Sequence, residues 1–169
     1  MKGLQIKQAS LDEFIIKKHN LQHDDLYLEK VISLDVESGE FINNVESFKY
    51  WKMQKGKPNI VGECCDCLHF ILSLANYFKH ELSKPYSPPI NDVTINLEGV
   101  RHSSINQLYA CMKKIIWKDL FELKNPNALD HILWMLVREL KYCNYEWEDL
   151  IKAYDEKYEI NIQRQQEGY

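Results

Sequence analysis

A chain of 169 residues with 45% hydrophobic and 27% charged side chains has the ordinary composition of a globular domain with one sizeable core. Its 21 basic and 25 acidic residues leave a formal net charge of −4, which excludes a protein that coats a nucleic-acid polymer through a basic face. No apolar run approaches the ~20 residues that cross a bilayer, and five cysteines, three of them crowded at 64, 65 and 67, do not make a disulfide framework.

The opening Met1–Lys7 lacks the apolar stretch of a signal peptide, so a cytoplasmic address with reduced thiols is expected. Leu11, Phe14 and Ile15 predict a short helix over Leu11–Lys18, and His19–His23 a connection. A long amphipathic helix follows over Asp24–Phe48, with Asp24 or Asp25 suited to cap its free amides. Gln54–Asn59, containing Gly56 and Pro58, is a break. The next helix, Ile60–Leu82, is apolar nearly all round and belongs in the middle of a bundle. Ser83–Ser103 is too long for a simple connector and is expected to be an irregular insertion, with alternation at Val93–Leu97 that suits one short strand. Helices over Ser104–Leu123, Pro126–Cys143 and Trp147–Gln163 or beyond complete a single all-α domain spanning 1–169.

Two patterns carry the chemistry: Glu37-Ser38-Gly39-Glu40 in the first long helix and Glu63-Cys64-Cys65-Asp66 in the next. Three-residue spacing places both carboxylates of a pair on one helix face, where like charges repel. A solvated face is the commoner explanation of one such pair. It fits poorly for Glu63 and Asp66, which stand among Cys64, Cys65, Cys67 and Leu68. A hard divalent cation compensates such a group, since Mg²⁺ takes carboxylate oxygens and water. If the two helices pack antiparallel, four carboxylates converge on two ions, the arrangement suited to displacement at phosphorus. Gly39 would admit a close neighbouring helix. Asp66-x-x-His69 resembles half of a di-iron site, but Glu37 and Glu40 have no matching histidine, and oxygen ligands favour Mg²⁺ or Mn²⁺ over iron. A zinc site lacks a second Cys/His pair.

Four blocks in this order resemble the dimeric dUTPases of the all-α nucleoside triphosphate pyrophosphatase (MazG-like) superfamily. They are Gln8–Ile15, Glu37–Asn43 running on to Phe48–Trp51, Glu63–Phe70 with Ile71–Leu74, and Ala153–Lys157 continuing to Asn161–Tyr169. The resemblance implies a helical bundle that pairs as a homodimer and hydrolyses dUTP, and dUDP, to dUMP. It implies two or more Mg²⁺ ions, with Mn²⁺ as the alternative, on Glu37, Glu40, Glu63 and Asp66. Glu40 or Glu37 would serve the attacking water. Lys157, Asn161 and Arg164 would contact phosphate; their spacing independently places them on one helix face. Gln8, Trp51 and Asn43 would meet the base and sugar.

The chain departs from the pattern at Tyr158, where many relatives carry Asn, at Glu46, where many carry Arg, and at Gly62, where many carry a further Glu. None is a metal ligand. The readings set against this one are a MazG-like enzyme for another nucleotide such as dCTP, a non-catalytic helical protein-binding module, and a di-iron bundle. Nucleotide selectivity, the four intact carboxylates and an iron spectrum, respectively, separate them. The insertion at 83–103 is where a protein partner would bind alongside catalysis.

Overall fold

A computed structural model describes residues 1–86 and 104–168 of the chain. The helices are α1 (Lys2–Lys18), α2 (Tyr27–Val45), α3 (Ile60–Phe78), α4 (Ile105–Ile115), α5 (Ala128–Tyr142) and α6 (Trp147–Glu167), with a π-helical segment, Ile116–Glu122, continuing α4. Among the described residues there is no strand, and the fold is all-α. The insertion expected at 83–103, with its alternating Val93–Leu97, lies outside the described residues from 87 onward.

α3 is the central helix and packs against α1, α2, α5 and α6. Cys64, Cys65, Cys67, Leu68, Ile71, Leu72, Leu74 and Ala75 are all buried, which is why its sequence reads as apolar on every side. All five cysteines are free thiols, and burial pushes Cys65 up to about 12. They act here as small packing residues.

The elements differ from the sequence expectation mainly at their ends. α1 begins at Lys2, well before Leu11, because its early inward positions are glutamines: Gln5, Gln8 and Leu11 are its buried residues. α2 begins at Tyr27, whose amide is taken by Asp25 Oδ1 at 3.2 Å, and stops at Val45. Glu46 there adopts a left-handed conformation (φ 59°), and its carboxylate is clamped by Lys49 and Lys52. Those two hydrogen-bonded ammonium groups, Lys52 first, hold the acid down to about 2. α3 ends before left-handed Lys79 (φ 54°) rather than running to Leu82. α6 starts on a capping box between Glu146 and Asp149.

The expected role for Gly39 is not what the packing shows. A Cβ there would meet only the Tyr109 hydroxyl, at 3.8 Å, an ordinary contact. α2 therefore does not need a glycine at this position to approach its neighbour.

Candidate active site

Packing of α2 against α3 brings the two acidic patterns together. Glu37, Glu63 and Asp66 each present an oxygen, all within 4.8 Å of one another. The apolar sides of α3 turn inward and leave Glu63 and Asp66 half-buried at its rim, facing Glu37 on α2. Glu40 lies one turn further along α2 and is exposed. It stands outside the group of three but close enough for its charge to act on both Glu37 and Asp66.

Glu63 and Asp66 are each held by neighbours. Glu63 Oε1 accepts from Asn59 Nδ2 at 2.9 Å and from Asn44 Nδ2 at 3.3 Å. Gly62 leaves the space that Asn59 occupies, since a Cβ on it would stand 2.1 Å from Asn59 Oδ1. Asp66 pairs with Lys157 of α6, whose ammonium also donates to the Gly62 carbonyl at 3.3 Å. Asp66 and Lys157 thus join the central helix to the C-terminal one at the edge of the site.

The electrostatics follow from that crowding. Burial, then the charges of Asp66, Glu40 and Glu63, push Glu37 up to about 7, against the opposing pull of Lys157. Asp66 is also raised, mainly by burial, although Lys157 works in the other direction. Hard oxygen donors that repel one another and gather around one point fit Mg²⁺ or Mn²⁺.

Gln8 points inward. It is 3% exposed, and its Oε1 faces both His69 Nδ1 (2.8 Å) and the Tyr154 hydroxyl (3.0 Å). Its amide nitrogen donates to Asp12 Oδ1 at 2.7 Å, so three of the four hydrogen bonds a glutamine can make are used inside the protein. His69 is held well below its ordinary value, at about 4, chiefly by burial and then by Lys157 and Lys7, and is neutral.

The remaining expected contacts are more dispersed. Asn161 is half-buried and Arg164 exposed, both beyond Lys157 on α6. Asn43 is exposed on α2, and Trp51 is 66% exposed in the connection to α3, edge-on to Tyr50 with ring centroids 5.1 Å apart. No described hydrogen bond joins either of them to the carboxylates.

Asn44, Asn59 and Tyr154 are missing from the residue-by-residue reading. A signal existed for the two asparagines: Asn44 lies four residues after Glu40 and Asn59 four before Glu63. Tyr154 lies one turn before Lys157 and carried no mark of its own.

No curated protein matches the chain. The dUTPase family model matches residues 1–169. With that match over the whole chain and the acidic group of α2 and α3 in place, the chain belongs to the all-α dUTPase family and is a dUTP diphosphatase.

Proposed function

We propose that the chain converts dUTP, and dUDP, to dUMP by attack of water on the α-phosphorus, with Mg²⁺ held by Glu37, Glu40, Glu63 and Asp66. The observation that carries this reading is the convergence of Glu37, Glu63 and Asp66 within 4.8 Å, with Lys157 at its edge. When bound, the ions supply charge neutralisation for the phosphates and acidify water.

The residues of the chain do the rest. Glu40, exposed at the mouth of the site, takes the proton of the attacking water, with Glu37 beside it as the second carboxylate. The new P–O bond forms as the bond to pyrophosphate breaks; with dUDP the leaving group is phosphate. Lys157 exchanges Asp66 for a phosphate oxygen, and Asn161 and Arg164 follow it along α6 to meet the rest of the polyphosphate. Trp51 stacks on the base or sugar, Asn43 touches the nucleotide, and Gln8 reads the uracil with its remaining N–H.

Pairing with a second copy is supported by an apolar stripe on α2. Leu28, Ile32 and Val36 recur every four residues at 43%, 44% and 50% exposure. Trp117 lies alongside, its indole N–H donating to Asp35 at 2.9 Å. Sedimentation of a single 20.1 kDa species would remove this part of the reading.

The deciding experiment measures product release from dUTP, dUDP, UTP, dCTP and TTP, each with Mg²⁺ and with EDTA, alongside Glu40→Gln. The expected result is Mg²⁺-dependent dUMP, abolished by the substitution and selective over dCTP and TTP. Equal turnover of all five would keep the metal site and discard the uracil pocket. No turnover of any would discard the hydrolytic reading.

A further inference from the structure

α3 and α6 are joined by two rungs one helical turn apart. In the outer rung Lys157 pairs with Asp66. In the inner rung the rings of Tyr154 and His69 stack, with centroids 4.4 Å apart and planes at 26°. Tyr154 precedes Lys157 by three residues and His69 follows Asp66 by three, so each helix offers both partners from one face.

The inner rung is tied to a third helix. Gln8 of α1 receives the Tyr154 hydroxyl and His69 Nδ1 on one amide oxygen, while its nitrogen donates to Asp12. Asp12 is held in turn by Ser73 of α3 and, at 3.4 Å, by Lys30 of α2. An amide oxygen only accepts, so His69 carries its proton on Nδ1. Its Nε2 keeps a buried lone pair with no partner among the described residues. Tyr154 is fully buried, which fixes the face that α6 turns toward α3 and therefore the root from which Lys157 reaches the carboxylates.

We propose that His69 and Tyr154, bridged by the Gln8 amide oxygen, are positioning residues whose buried joint sets where Lys157 stands at the carboxylate group, and thereby the rate of hydrolysis. This rests on the hydrolytic reading given above. The lysine stem is long and turns about several bonds, so its aim depends on the backbone beneath it. A displacement of about 1 Å at a reacting centre costs up to about a hundredfold in rate.

The test uses the full chain, with Tyr154→Phe, Gln8→Met, Lys157→Ala and the double variant Tyr154→Phe/Lys157→Ala, in steady-state hydrolysis of dUTP with Mg²⁺. Tyr154→Phe keeps the ring and its stack and removes only the hydroxyl. It should lower kcat roughly ten- to a hundredfold, with KM within about twofold. In the Lys157→Ala background the same substitution should change kcat by less than about twofold, because residues acting through one another are not additive. Nitrogen-15 correlation spectra should show the Nδ1–H tautomer of His69 in the wild type and its loss in Gln8→Met.

Should Gln8→Met fail to fold, Tyr154→Phe decides alone. The proposal is overturned if Tyr154→Phe retains kcat, or loses it equally with and without Lys157. A wild type without Mg²⁺-dependent turnover would instead overturn the hydrolytic reading, and the role of the joint with it.

Discussion

Gly62 gives up a side chain where Asn59 needs the room, and Asn59 uses it to hold Glu63. The amide that holds Glu63 is thus donated by the residue that opens the same helix. Groups that orient a ligand matter nearly as much as the ligand itself. Asn59→Ala should weaken Mg²⁺ binding roughly tenfold by calorimetry, leaving the fold intact by circular dichroism. An unchanged affinity would show that Asn44 suffices.

Glu37 supplies the pH dependence at the same scale. Its carboxyl is raised to about 7, so without metal it contributes stability that is present below its ordinary 4.5 and lost as pH rises through about 7. Mg²⁺ needs the ionised form. Its apparent affinity should therefore rise between pH 6 and 8 with uptake of the ion releasing a proton, and Glu37→Gln should abolish that release in buffers of different ionisation enthalpy. A pH-independent affinity would contradict the assignment.

Among the elements, α2 carries a glycine it does not use for packing. Gly39→Ala meets only ordinary contact with Tyr109, so it should stabilise the protein by about 0.5–1 kcal/mol in urea unfolding. A loss of stability would mean that α4 must come closer than it stands here. The same helix shows what sequence could convey about the site. Glu37, Glu63 and Asp66 were legible because three-residue spacing is a helical signature and because acids among cysteines are out of place. Lys157 was legible only through the family's tail, since a lone lysine near a helix end is usually solvated. The start of α1 was not legible at all: its inward positions at 5 and 8 are glutamines, satisfied by partners far along the chain. The π-helical segment was read as plain α-helix, because the bond from the Leu123 amide to the Lys118 carbonyl (3.1 Å) leaves no mark in hydrophobic periodicity.

At the scale of the whole molecule, the central helix gathers every other helix that matters to the site, while Glu139 is a buried acid that takes no part in it. Glu139 of α5 is fully buried, and among the described residues neither carboxylate oxygen has a partner. Burial raises its carboxyl well above the ordinary 4.5, which favours the neutral acid in the fold. Its contribution is complete below that ordinary value and is lost as pH rises from there toward the folded one. Glu139→Gln should thus raise Tm more at pH 8 than at pH 4.5 and flatten the dependence of Tm on pH in between. An equal change at both pH values would mean that the acid is ionised in the fold. No described helix is long and apolar enough to cross a membrane.

The ion pair between Lys157 and Asp66 has a consequence for how the protein lives without its ions. The chain carries a counter-charge of its own at the carboxylate group, so its fold should not wait for a cation, unlike small domains that collapse only when metal arrives. A chelator should therefore act as a reversible off-switch rather than a denaturant. EDTA should silence hydrolysis while the helical circular dichroism signal persists, and added Mg²⁺ should restore turnover within mixing time, with no refolding phase. Loss of the helical signal in EDTA would show that the internal ammonium is not a sufficient stand-in.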